Sequence, residues 1–335
     1  MRAGSIHLPQ IGLWCDAHTR QDCSFVSHAH FDHLARHRRV ITSPGTQRLM
    51  RERMPGKREE VVLPFGELHP FDAETELRLH PAGHIFGSAM LHLVRPGGSF
   101  LYTGDFKLRP GRSAEACVPP RADILVMETT FGLPRYVMPP TETVLAAIIA
   151  FCRETLAEGA VPILYGYSLG KSQELLCALT DAALPVMLHE ATMKMTRIYE
   201  EMGQTFPTCR RFKLSKVAGH VVMCPPQSRK SEWLLKIEPR RTAMATGWAV
   251  DSSAIYRYGC DAVFPLSDHA DYPDLLRLVD LVQPKRVYTV HGYAREFAQD
   301  LRARGVEAWA LGMENQLEFP LKNLVPEHKP LHSVP

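Results

Sequence analysis

Residues 27–33 read SHAHFDH, and this short stretch decides how the rest of the chain is read. His28, His30, Asp32 and His33 place three imidazoles and a carboxylate within six positions, directly after the β-prone run 23–26. Nitrogen and carboxylate donors without thiolates suit zinc, or a similar first-row divalent ion such as manganese, at an open catalytic centre. If the first two histidines leave the turn on one side and Asp32 and His33 on the other, one loop serves two ions. The spacing predicts a dinuclear hydrolytic site.

A metal pair needs further ligands, and candidates recur at the ends of β-type runs. His84 follows the run 76–80, Asp105 follows 99–103, and His291 follows 286–290. Side chains converge in this way when several strands end at one edge of a sheet.

These motifs, taken in order, resemble the metallo-β-lactamase superfamily: HxHxDH, an isolated histidine, then TGD at 103–105. ETT at 128–130, SDHAD at 267–271 and VHG at 290–292 resemble its nucleic-acid-processing β-CASP branch. Asp16 resembles the family's supporting aspartate ahead of the His-rich loop. The resemblance implies an αββα sandwich interrupted by a small α/β β-CASP domain. It implies one ion held by His28, His30 and His84, a second by Asp32, His33 and His291, and Asp105 between them. Asp32, Glu128 and His269 are the expected catalytic residues. The branch more often reads SAHAD where this chain has Asp268; that extra carboxylate would either raise the pKa of His269 or bind solvent.

The chemistry accounts for those residue types. A hydroxide activated by two cations is a nucleophile at neutral pH, and the same cations neutralise charge building on a phosphoryl group. Imidazole is matched to donate a proton near pH 7, which makes His269 the expected acid and Glu128 its partner. A merely packed histidine is the plain alternative.

Length and composition bound the rest. The 335 residues suffice for two modest domains, and 45% hydrophobic content permits a substantial core. A formal net charge of +3 argues against a generally polybasic binder, though a local positive groove is compatible with it. Eight scattered cysteines without CxxC pairs favour free thiols in a reducing cytoplasm. No run approaches the roughly twenty apolar residues of a membrane span.

Catalytic motifs fall on both sides of an alternating strand and helix pattern, so an insertion is expected rather than two consecutive domains. The boundaries read as 1–138 and 265–335 for the interrupted domain and 139–264 for the insert. ProPro at 139–140 marks the break, and an amphipathic helix follows from Thr141 to about Glu158. Within the insert, GYSLGKSQE at 166–174 places a two-glycine turn between a strand and a helix. Ser168, Lys171 and Ser172 are read there as phosphate contacts at a helix N-terminus, with an ordinary capped turn as the alternative. Trp248 is read as a base-stacking residue or a buried core tryptophan.

Whole-chain features, including YGYSLGKSQEL and FPLSDHADY, are most similar to bacterial DNA-ligase-associated exonucleases of the branch. That resemblance implies DNA end processing in repair, beside an ATP-dependent DNA ligase and a helicase. His291 pulls the other way, because histidine at that position is typical of RNA-processing members, so an RNA nuclease is the alternative.

Overall fold

The computed structural model describes residues 5–312 apart from 207 and 252; the Pro-rich end of the chain lies outside the described residues. Three sheets organise it. The first runs in chain order, β1 (Ile6–Leu8), β2 (Leu13–Cys15), β3 (Cys23–Phe25), β4 (Arg39–Thr42) and β5 (Glu59–Val62). Helix α1 (Pro44–Arg53) follows β4, capped by Ser43, whose Oγ accepts the Thr46 N–H at 3.1 Å, with Pro44 in the first turn.

The chain then builds β6 (Leu68–Pro70), β7 (Glu76–Pro81), β8 (Ala89–Arg95), β9 (Gly98–Tyr102) and β10 (Ile124–Glu128). A hairpin through residues 95–98 joins β8 to β9, with Arg95 opposite Gly98. Every residue of β10 is buried, as an apolar run in the middle of a sheet should be.

After β10 the chain leaves this sheet. Helix α2 (Thr141–Ala157), β11 (Val161–Tyr165), α3 (Lys171–Asp181), β12 (Val186–Leu188), α4 (Glu190–Glu201), β13 (Arg210–Arg211), β14 (Val221–Cys224), α5 (Glu232–Leu235), β15 (Arg240–Ala245), α6 (Ala254–Tyr258) and β16 (Ala262–Phe264) follow. Their strands form a separate sheet, ordered β13-β12-β14-β11-β15-β16 and parallel throughout. Helix α7 (Tyr272–Val282) leads back to β17 (Arg286–Val290), which pairs in parallel with β10, and α8 (Ala294–Ala303) leads to β18 (Ala308–Ala310) beyond it.

The layers follow from which faces are apolar. Phe25 and Ile41 of the first sheet pack against Leu79, Leu91, Phe100 and Val126 of the second, forming the core between them. The far side of the second sheet buries Leu125 and Met127 under Leu275 and Leu278 of α7 and Phe297 of α8. Met50 of α1 covers Val26 and Val40 on the outside of the first sheet. This is helix, sheet, sheet, helix, the sandwich expected from the motifs. The third sheet has its own core, with Leu145 and Ile148 of α2 and Leu175 of α3 against Leu164. Ala29, Leu49, Ile85 and Leu169 meet Met195 and Ile198 of α4 where the two bodies touch.

Candidate metal centre

The donors gather where β3, β7, β9, β10 and β17 end. Asp16 sits below them, 3% exposed and with a left-handed backbone at φ 46°. Its Oδ1 accepts the Ser27 N–H at 2.8 Å, while Oδ2 accepts from Ser27 Oγ at 2.6 Å, Tyr102 Oη at 2.9 Å and His33 Nδ1 at 2.9 Å. A non-glycine residue held in this conformation costs about 1–3 kcal/mol, so the four bonds over-determine it. Asp16 thereby ties β2, β9 and the His-rich loop together.

Three imidazoles point into one small volume. His84 Nδ1 lies 2.7 Å from the Asp268 carbonyl, and His30 Nε2 lies 3.2 Å from the Leu169 carbonyl. A carbonyl only accepts, so those two nitrogens carry the hydrogens. Ser27 Oγ spends its hydrogen on Asp16 and must accept from His28 Nδ1, 3.0 Å away. Burial lowers all three pKa values: His28 well down, His30 down, and His84 to about 4 with help from His269 and His30. Each is therefore neutral at pH 7, and each opposite nitrogen bears a lone pair.

Those lone pairs face one another. His30 Nδ1 is 3.2 Å from His28 Nε2 and 3.1 Å from His84 Nε2, with no hydrogen among them. The arrangement is repulsive unless a cation sits between the rings, and ring-nitrogen ligands anchored through their far nitrogen are the usual support of a metal site. The residues fit a metal ion on this ground.

Asp105 stands beside them. Its Oδ2 is 3.3 Å from His33 Nε2, 3.5 Å from His28 Nε2 and 3.9 Å from His84 Nε2. Burial would raise its pKa, but the facing His33 and His269 outweigh it and hold the carboxyl well below the usual range. His33 is likewise opposed by burial yet driven well up by Asp105 and Asp16. Gly104, at φ 54°, permits this approach, because a Cβ there would lie 2.5 Å from Ser27 Cβ.

On the other side of Asp105, His269 Nδ1 is 2.9 Å from Glu128 Oε1. Glu128 is fully buried at the end of β10, and its two oxygens also accept the N–H groups of Phe106 and Thr130, both at 3.1 Å. Burial would lower the pKa of His269; Glu128 first, then Asp105 and Asp268, reverse this and push it up to about 10. The His269 side chain stays 22% exposed.

Several expected residues lie elsewhere. Asp32 is exposed and joins none of the donor groups among the described residues. Residues 31–33 form a 3-10 turn, in which neighbours point about 120° apart, and His33 takes the buried direction toward Asp16. Asp32 as a ligand and catalytic group is thus not met by this arrangement. His291 is half-buried at φ 60°, its ring centre 5.9 Å from that of His33, and its nitrogens lie outside the tight donor groups.

Lys171 and Ser172 are 3% and 1% exposed, so neither offers itself to a phosphate. Helix α3 is wedged between the two bodies, and the Lys171 ammonium is engaged by Leu266 O at 2.9 Å and Asp268 Oδ1 at 2.8 Å. Asp268, the departure from the branch pattern, therefore pairs with a lysine. Ser168 is half-buried, its carbonyl accepting from Gln173 Nε2 at 3.1 Å. Trp248 is half-buried against Phe131, ring centres 4.8 Å apart, and edge-on to Tyr136 at 5.7 Å. Phe131 in turn lies 6.2 Å from His269, which makes this an aromatic wall of the site. Sequence reasoning missed the carbonyls of Leu169 and Asp268 and the hydroxyls of Ser27 and Tyr102; only Ser27, next to His28, had a positional signal.

Comparison with known proteins follows the same lines. The family of Zn-dependent metallo-hydrolase RNA specificity domains matches residues 262–311, the stretch that carries His269 and His291. A probable DNA ligase of Opitutus terrae is 59% identical over 324 residues, which is 96% of this chain and 32% of that protein. Transcription termination factor FttA of Pyrococcus abyssi is 35% identical over 127 residues, 37% of this chain and 20% of that one. FttA of Methanothermobacter thermautotrophicus is 31% identical over 173 residues, 50% and 26% of the respective chains. The chain thus spans about a third or less of the length of these curated relatives. A crystal structure of a protein of unknown function from Enterococcus faecalis V583 shares the fold, with a TM-score of 0.59 at 14% identity over 87% of this chain and 79% of that one. With the ordered motifs and the sandwich beneath them, these likenesses support the metallo-β-lactamase superfamily and its β-CASP branch.

Proposed function

We propose that the protein is a metal-dependent phosphodiesterase that trims DNA ends as an exonuclease in repair. The observation that carries this reading is the convergence of three lone-pair-bearing histidine nitrogens beside Asp105, next to the His269–Glu128 pair. In this reading His28, His30 and His84 hold one divalent ion, and His33 and His291 serve a second across Asp105. Zinc, or manganese in its place, would supply a nucleophile at neutral pH and neutralise charge on the phosphoryl group.

The remaining work belongs to this chain's side chains. His269 has one N–H committed to Glu128 Oε1, and Glu128, with Asp105 and Asp268, favours its protonated form. Its Nε2–H is therefore the proton available to a departing sugar oxygen. Glu128 fixes the ring and stabilises its charge, and it can do so because two backbone N–H groups hold the carboxylate in place. The aromatic wall of Phe131, Tyr136 and Trp248 shields one side of the pair from water.

DNA is favoured by the extended likeness to a protein named as a probable DNA ligase, in which the matching stretch belongs to one longer chain. An ATP-dependent ligase and a helicase are the partners that the family resemblance implies, and the name of this relative supports the ligase. RNA is the second reading, favoured by His291 and by the RNA specificity domain and termination factors among the relatives. Matched DNA and RNA of one sequence, labelled at the 5′ or 3′ end and digested with zinc or manganese, separate them. Stepwise shortening of DNA alone supports the proposal. Degradation of RNA alone replaces it with the second reading, and a purified chain without bound metal or cleavage removes both.

A further inference from the structure

The turn that opens α3 touches the metal-binding body at three points. Leu169 O accepts the His30 Nε2–H at 3.2 Å. Gly170, at φ 88°, lies so close to the His84 loop that a Cβ would stand 2.3 Å from Ile85 Cγ2. Lys171 Nζ spans Leu266 O at 2.9 Å and Asp268 Oδ1 at 2.8 Å, and Asp268 O accepts the His84 Nδ1–H at 2.7 Å. Two of the three converging histidines are thus aimed through this turn, His30 directly and His84 by way of residues 266–268.

We propose that Lys171 is a positioning residue that clasps the segment 266–268 and thereby fixes the aim of His84, so that seating of the third-sheet body and metal affinity are coupled. The proposal rests on the metal-site reading above. The ion pair is nearly enclosed, with 3% of the Lys171 side chain and 15% of the Asp268 side chain exposed. Burial would raise the pKa of Asp268, yet Lys171, followed by His84 and His269, holds the carboxyl far below its ordinary range. Removing one partner of such a pair strands the other charge, whereas removing both does not. A double-mutant cycle therefore isolates the coupling.

The test compares full-length wild type, K171M, D268A, K171M/D268A and K171R. Zinc affinity is read by competition with a chromogenic chelator, and kcat and KM are read on labelled DNA. K171M is expected to weaken zinc binding about 10-fold, as loss of an outer support does. Its kcat should fall with KM and the salt dependence of binding little changed. The double variant should lose less than the sum of the singles, and K171R should recover most of the zinc affinity. If K171M fails to fold, D268A and the double variant, which leaves no stranded charge, carry the same comparison. Wild-type zinc affinity in these variants overturns the proposal. So does a raised KM with a shallower salt slope, which would mark Lys171 as a phosphate contact instead. A wild-type chain that binds no zinc sinks the metal-site reading itself, a result distinct from either.

Discussion

Asp16 offers the sharpest test among single residues, since one carboxylate receives four hydrogen bonds in a left-handed backbone. Asp16→Ala leaves those donors buried and unpaired; at about 1–3 kcal/mol for each lost partner, the unfolding free energy from denaturant titration should fall by several kcal/mol. The same substitution frees His33 and should lower zinc occupancy, measured by elemental analysis. His269→Ala should leave metal content intact while slowing single-turnover cleavage by about 10²–10⁴-fold. An unchanged single-turnover rate would remove His269 from the acid role. What was legible at this scale was chemistry carried by side chains. Asp105, His84, His291 and the histidines of the 28–33 loop stand out by type and spacing, and Asp16, Glu128 and His269 through the family resemblance, whereas Leu169 and Asp268 act through carbonyls that every residue possesses. Asp32 reads as a ligand from spacing alone, and only the pitch of the 3-10 turn reveals that it faces out.

Elements were legible where a run was long or fully apolar. Helix α2 and the returning strand β17 lie within a residue of their expected bounds. Short strands such as β1, β2 and β6, of three residues each, carry too little periodicity to be read before their partners are known. Helix α3 shows a different limit. Its first four residues, Lys171 to Glu174, are polar and yet buried, so a helix end that reads as a surface phosphate cradle is an internal joint. The strand end at TGD allows a sterically defined prediction. Gly104→Ala brings a methyl group to 2.6 Å from Ser27 Oγ at a backbone φ of 54°. Expected outcomes are a loss of about 2 kcal/mol or more, because strain and overpacking add, and weaker metal binding than wild type. Wild-type values for both in Gly104→Ala would mean that the Ser27 contact is slack.

For the whole molecule, the two-sheet core and its interruption were readable because ligand motifs flank the α/β pattern; how α3 locks the two bodies together was not. Acid should loosen this assembly in a defined window. Burial pushes His37 down to about 4, and burial with His92 and Arg78 does the same to His80. Nε2 of each is buried without a hydrogen-bond partner among the described residues. Both are neutral when folded and take up protons more readily when unfolded, near the ordinary value of about 6.5. Their contribution is fully present above pH 6.5 and is lost as pH falls toward 4. Melting temperatures of a His37→Gln, His80→Gln variant should fall less steeply across that interval than those of wild type. No described helix is long and apolar enough to cross a membrane.

The pairing of β10 with β17 also sets an order of assembly. Residues 129–285 separate the two strands, so a nascent chain emerging from the ribosome completes the whole parallel sheet before β17 exists to cover one edge of β10. Until then His291 has not been made and the strand that carries Glu128 is half-partnered. The rate of elongation sets that interval, and slowing it across residues 265–291 would lengthen the time in which the open edge is available for aggregation.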